Sequence, residues 1–262
     1  MAERPVFVPT PNRDPLVKEV LVSLHWRGGF SVSQKQRNVA ALHKSAAEVG
    51  YSPILEVSTK SSAKVGRHLS AFHLKVHRCG QETPLESVFQ ASKVFEHGGP
   101  FRDLYDAQPR VAKRDPRLRN SGKLVGFEFL DSHFPLEPVT GFYDWLYIGA
   151  LYPHREWLTR LYRYAGFTDI EFNPARSVNC QARSCALFVA LMLTGLLDEV
   201  VKSPQAFLAA LRTHGYGTAP VGSVDQQHLL IDGPHTEAPR REAVQAARVR
   251  QSDRRHPSQR SK

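Results

Sequence analysis

The order of apolar and polar positions along the chain predicts a series of short elements. In residues 19–26, Val20, Val22, Leu24 and Trp26 alternate with mostly polar neighbours, the period of two expected of a strand. Gly28 and Gly29 turn the chain. From about Ser33, with Gln36 three residues on, the period lengthens, and Val39, Leu42, Ala46 and Val49 share one face of a helix. Residues 53–58 (PILEVS) read as a strand that delivers Ser58-Thr59-Lys60-Ser61-Ser62 at its end, and residues 123–130 (KLVGFEFL) and 168–172 (TDIEF) have the same character. Residues 110–119 form a basic helix interrupted at Pro116. Residues 142–152, 154–164 and 204–213 read as helices, and 179–201, rich in Leu and Ala, as a buried core helix.

The clearest local signal lies in residues 69–95, LSAFHLKVHRCGQETPLESVFQASKVF. After a turn-prone opening and a short run in which Val76 and Cys79 are expected to face inward, Thr83-Pro84-Leu85-Glu86 has the spacing of a capping box. Thr83 would be the N-cap, with proline at the first helical position and Glu86 at the third. The helix is expected to run to Phe95 or Glu96, where Gly98-Gly99-Pro100 stops it. Leu85, Val88, Phe89, Ser92 and Phe95 would lie on one face, with Glu86, Gln90 and Lys93 together on its flank.

Helices outnumber strands, and the two do not alternate as in a doubly wound sheet. The fold class expected is therefore α/β (α+β), a mostly helical single domain around a small central sheet. Residues 1–18, with three prolines before Asp14-Pro15, are expected to run extended over the surface. Residues 19–215 would form the folded domain and 216–262 a basic, disordered tail.

Composition narrows the class. At 262 residues and 41% hydrophobic the chain can bury an ordinary core, and no run approaches the roughly 18 apolar residues of a membrane span. The opening Met1-Ala2-Glu3-Arg4-Pro5 lacks the pattern of a signal peptide, so no membrane partner and a cytoplasmic location are expected. Cys79, Cys180 and Cys185 form no CxxC pair, the twelve histidines show no ligand spacing, and neither metal nor cofactor is expected. The net charge of +10 favours a polyanionic partner. Residues 233–262 hold eight Lys/Arg and three Asp/Glu, so 8 − 3 = +5 belongs to the tail and +5 to the rest.

On residue types alone, Glu86 is the second half of a capping box and Lys93 a solvated helix lysine. The wording of the chain says more. Leu69-Ser70-Ala71-Phe72, a gap, and then Glu86, Gln90 and Lys93 on one helix resemble the paired signature of the NADAR family. Val111-Ala112-Lys113-Arg114 with Arg117 is similar to that family's basic helix, Asp144-Trp145 to its Asp/Asn-Trp pair, and Asp169-Ile170-Glu171 to its Leu-Val-Glu. The likeness covers residues 54–195. It is closest to the NADAR proteins that act as antitoxins to the DNA ADP-ribosyltransferase toxin DarT, through Gln34-Lys35-Gln36, Ser58-Thr59-Lys60-Ser61, Phe142-Tyr143-Asp144-Trp145-Leu146 and Asn179-Cys180-Gln181-Ala182. The family's Trp-Gly-x-Gly stretch is absent, with residues 173–182 in its place.

The resemblance implies an N-glycosidic hydrolase that removes ADP-ribose from guanine in DNA, with ADP-ribosylated DNA and a DarT-type toxin encoded nearby as partners. Lys93, Glu86 and Glu171 would be catalytic. Lys60, Ser70, Phe72, Gln90, Arg114, Asp144, Trp145, Asn173 and Asn179 would bind substrate, the cations facing the diphosphate. A ribose on an exocyclic amine can open to an imine, so Lys93 could exchange with the base and hold the sugar as a Schiff base. Alternatively, carboxylates could direct water at an oxocarbenium-like centre. Two other classes stay open, a small-molecule N-glycosidase of the riboflavin-intermediate type and a non-catalytic antitoxin that binds DNA or toxin. Oligomeric state is not legible.

Because the composition of the tail cannot order it, deleting residues 233–262 is expected to leave turnover of a short modified oligonucleotide unchanged. The salt dependence of DNA binding, measured by anisotropy, should become shallower. Loss of turnover on the short substrate would refute this.

Overall fold

The structure of the protein, a computed structural model, describes residues 1–214 other than Arg176. The chain opens with β1 (Ala2–Pro9) and β2 (Val17–Leu24), followed by α1 (Val32–Glu48), β3 (Ile54–Glu56) and α2 (Lys64–His68). Next come β4 (Lys75–Arg78), β5 (Gln81–Pro84), α3 (Leu85–Ala91) and β6 (Lys93–Phe95), then two one-turn helices, α4 (Pro109–Ala112) and α5 (Arg117–Asn120). After β7 (Leu124–Phe129) and β8 (Ser132–Phe134) the chain turns helical with α6 (Gly141–Leu151) and α7 (Arg155–Leu158). β9 (Gly166–Thr168), α8 (Gln181–Leu193), α9 (Leu197–Val200) and α10 (Pro204–Thr213) complete the described part.

The fold is α+β, with several small sheets where one was expected. The main one has the order β2-β1-β9-β3, β4 and β5 form a hairpin, and β6-β7-β8 form a third sheet. β1 and β2 pair antiparallel along their whole length, Phe7 lies opposite Phe167 of β9, and β3 runs parallel to β9. This corrects the reading of residues 1–18 as a surface segment, since β1 lies inside the sheet with Val6 and Phe7 buried. Pro5 and Pro9 each withhold one backbone donor, but the apolar Val6-Phe7-Val8 between them has more to gain from burial. The tail expected over residues 216–262 lies outside the described residues.

Burial of α8 matches its composition. Ala182, Cys185, Ala186, Leu187, Phe188 and Ala190 are fully enclosed. The helix stops at Leu193 rather than continuing to residue 201, because Gly195 takes a left-handed backbone (φ +72°) and restarts the chain as α9. In α6, Phe142 stacks on Phe127 of β7 at 4.6 Å and packs on Phe134 of β8 at 4.8 Å, fixing the third sheet against the helix.

Two expectations near residues 69–95 change. Cys79 is exposed at the tip of the β4-β5 hairpin, where Cys79 and Gly80 both have positive φ (48° and 78°), the geometry of a tight two-residue turn. The capping box does not form. Thr83 pairs with Val76 in the hairpin, the N-cap position falls to Pro84 with no side-chain hydrogen bond, and Glu86 lies in the first turn. The helix also ends early, at Ala91. Lys93, Val94 and Phe95 leave it as β6, whose β-branched and aromatic residues pair with β7.

Candidate active site

α3 is short and wholly buried, so its polar residues face the interior. Glu86, 4% exposed, accepts a hydrogen bond from Gln90 Nε2 to Oε1 at 3.0 Å, and Lys113 Nζ, just after α4, lies 3.5 Å from the same oxygen. The carboxylate is thus held by an amide and an ammonium, not spent on the helix end. Lys93 has left the helix, and its side chain is fully buried, with Nζ 4.7 Å from the ring centre of Phe89. Its main chain is fixed opposite Phe127. Phe89 meets Tyr143 edge-on at 5.2 Å, and Tyr143 stacks near Tyr147 at 6.3 Å.

Tyr147 leads to the turn at residues 69–72. Its hydroxyl donates to Leu69 O at 2.7 Å, while Gln181 Oε1, from the start of α8, accepts from Ala71 N at 2.8 Å. Ser70 is buried, its Oγ accepting from Phe72 N at 3.4 Å, and Phe72 is half-buried. The other end of the Gln181 amide donates to Asp169 Oδ2 at 2.9 Å. Asp169, at the end of β9, also accepts from Glu171 N and sits near Glu56 at the end of the parallel strand β3.

Glu56 was not singled out from the sequence. Its carboxyl accepts from Ser58 Oγ, Thr168 Oγ1 at 2.7 Å and Ile170 N at 2.8 Å, with His43 Nε2 3.0 Å from the Thr168 hydroxyl. Burial first, then the neighbouring Asp169 charge, pushes Glu56 up to about 8, against the hydrogen bonds it accepts. Burial likewise pushes Asp169 up to about 7 and His43 down to about 4. The available signal was a carboxylate on a strand that ends in a run of hydroxyls. Its partner on β9, 113 positions later (169 − 56), leaves no trace in local pattern.

The remaining predicted residues fall in several places. Glu171 is not in a strand, since β9 ends at Thr168; it is exposed, 3.1 Å from Lys35 and 3.7 Å from Lys60, and the buried acid of that segment is Asp169. Asp144 is buried in α6, one oxygen accepting from Ser184 Oγ and the other, Oδ2, without a partner; burial pushes it up to about 6. Trp145 packs on Phe207 and Phe134 and also lines a cleft of about 930 Å³ that reaches Leu69. Glu86, Lys93 and Glu171 do not line that cleft. Asn173 turns back on Ala175 N, whereas both amide atoms of Asn179 are buried without a partner. Arg114 is exposed, and Arg117 is taken up by Asp103 and Asp115. Among the described residues no cluster of His, Cys, Asp or Glu is placed to hold a metal, and no helix is long and apolar enough to cross a membrane.

Compared with known proteins, the chain matches a family model described as the DarT1-associated NADAR antitoxin over residues 2–219. No curated protein matches it.

The Glu56 carboxyl generates a pH prediction. Its folded value, about 8, lies above the usual 4.5, so the folded protein holds a proton that the unfolded chain has released, and stability falls as pH rises through that range. His43 works in the opposite sense but only below its ordinary 6.5, which leaves pH 6.5 to 8 to the carboxyls. Urea unfolding is expected to show Glu56→Gln, which mimics the protonated acid, removing on the order of 1–2 kcal/mol of the wild-type loss across that window. An unchanged slope would show that Glu56 is ionised in the fold.

Proposed function

The chain belongs to the family of DarT1-associated NADAR antitoxins, and we propose that it hydrolyses the N-glycosidic bond between ADP-ribose and guanine in DNA, undoing the modification made by a DarT-type toxin. The observation that carries the reading is Glu86. A buried carboxylate is costly unless it is paired or hydrogen-bonded, and here the helix-capping role that would have explained it is absent. Gln90 and Lys113 instead hold it in a fixed orientation, which is what stabilisation of a cationic sugar centre requires. The buried unpartnered amide of Asn179 and Oδ2 of Asp144 add polar groups that a bound substrate would satisfy.

In the covalent route, Lys93 Nζ attacks C1 of the ring-opened ribose imine. The guanine amine leaves with the proton that the lysine gives up, and water then attacks the lysine imine to release ADP-ribose and restore the amine. The walls around Lys93, Phe89 among them, exclude bulk water from the amine until substrate arrives. Full burial also means that side chains over Lys93 must move aside to admit the sugar. In the direct route a protonated Lys93 stays over the Phe89 ring and water adds to the sugar, with Glu86 supporting the developing charge.

Glu86→Gln is expected to abolish release of ADP-ribose from a modified oligonucleotide while costing less than about 2 kcal/mol of stability, because the amide oxygen still accepts from Gln90. A variant that keeps its turnover would move the reacting carboxylate elsewhere. One that loses turnover yet still protects cells from the toxin would favour the non-catalytic reading, and activity on a free nucleotide alone would favour the small-molecule one.

The covalent route predicts that borohydride added during turnover traps ADP-ribose on Lys93, seen as a mass adduct on its peptide. Lys93→Arg should then be inactive, with Lys93→Met as a packing control. Substantial activity in Lys93→Arg together with no adduct would leave water as the nucleophile.

A further inference from the structure

The cleft of about 930 Å³ meets the turn at residues 69–72 through Leu69, and neither Glu86 nor Lys93 lines it. Its floor is apolar, with Leu69, Trp145, Leu146 and Ala150, and one rim is β4. Alternation along that strand buries Val76 and exposes Lys75 and His77, with exposed His73 in the turn before it. The opposite rim is Trp157, 49% exposed. A second cleft of about 380 Å³ shares Val65, His68 and Trp157 with the first and adds Lys64, Arg160 and Arg163, so the two form one channel.

The second rim is built as a ladder. Residues 159–163 form a 3₁₀ turn, in which positions three apart eclipse one another, so Arg160 and Arg163 share one side of it, with Trp157 of α7 joined to Arg160 by direct contact. The Arg160 guanidinium lies 3.6 Å from the Trp157 ring centre, its Nε donates to Trp157 O at 2.8 Å, and Arg163 Nε donates to Arg160 O at 3.0 Å. These bonds use one nitrogen of each guanidinium. Lys64, Lys75, Arg160 and Arg163 have no ion-pair partner among the described residues, and Glu82 is the one acid lining either cleft.

We infer that this channel is the track for the single DNA strand that flanks the modified base, an assignment that draws its substrate from the hydrolase reading. Unpaired cations in a row fit a phosphate backbone, and an exposed indole with a guanidinium plane stacked on it offers the flat surfaces on which unpaired bases stack. A duplex would keep its bases from those surfaces, so the occupant is single-stranded, consistent with a guanine that must leave the stack to be processed. Leu69 and Trp145, which line the channel, adjoin Ser70 and Asp144 in the chain, so a strand lying in it would pass beside the turn at residues 69–72.

The test uses the full chain and an unmodified single-stranded deoxyoligonucleotide, followed by fluorescence anisotropy over a range of salt. The double variant Arg160→Glu/Arg163→Glu, and separately Trp157→Ala, should weaken binding about tenfold. The double variant should also flatten the salt dependence by roughly one to two in slope. Hydrolysis of ADP-ribosylated guanosine, which has no flanking strand, should be unchanged in both. Lys44→Glu, on the exposed side of α1, should bind as wild type. The proposal is overturned if the channel variants bind normally, if Lys44→Glu weakens binding equally, so that only net charge matters, or if guanosine turnover falls in parallel. Tighter binding of the matching ribo-oligonucleotide, or loss of toxin association with DNA binding intact, would also overturn it. Should the wild type hydrolyse neither substrate, the hydrolase reading fails while anisotropy still judges the channel.

Discussion

One side-chain amide holds the two halves of the protein in register. Gln181, at the first turn of the core helix α8, accepts from Ala71 N with its oxygen and donates to Asp169 with its nitrogen. It therefore ties the turn at residues 69–72 to the end of β9, with the largely buried core helix α8 as the fixed support. Both of its bonds are buried, where an unmade hydrogen bond costs more than a made one gains. Tyr147 grips the same turn from α6, so the turn has its place set from two helices that pack on each other. The polar groups of the site inherit their precision from this frame, and so does the end of the long cleft.

The same frame explains what could be read from the chain beforehand. α10 and β7 follow from local composition and period and appear close to where the pattern puts them, while α8 starts as expected and stops short at Leu193. The likeness carried in part by Glu86, Gln90 and Lys93 pointed to the family that the chain belongs to, but the local geometry inferred for that stretch was wrong. Thr83 and Pro84 were claimed by a hairpin with β4, and Lys93 by pairing with β7. Those are competitions between a local signal and a partner tens of residues away, and the partner wins because pairing also buries apolar surface. Glu56 and Asp169 were invisible for a related reason. Each looks like an ordinary polar residue until parallel pairing of β3 and β9 brings their ends together.

Glu86, Lys93, Glu56, Asp169 and Asp144 are all buried ionisable groups. Such groups contribute less to stability than hydrophobic residues of equal volume would. Buried ionisable groups with shifted titration are commoner at functional sites than in interiors that only hold a fold together.

The place of β1 in the sheet has a consequence in time. Phe7 pairs with Phe167, so during synthesis β1 waits for a partner 160 residues later (167 − 7). At about 5–20 residues per second that interval is roughly 10–30 s. Until then β1 has only β2 beside it, and β3 also lacks its partner, so the central sheet cannot close. For a member of a toxin-associated antitoxin family, this sets a delay between the start of its synthesis and its first folded copy. Until that delay has passed, whatever an antitoxin does rests on copies finished earlier.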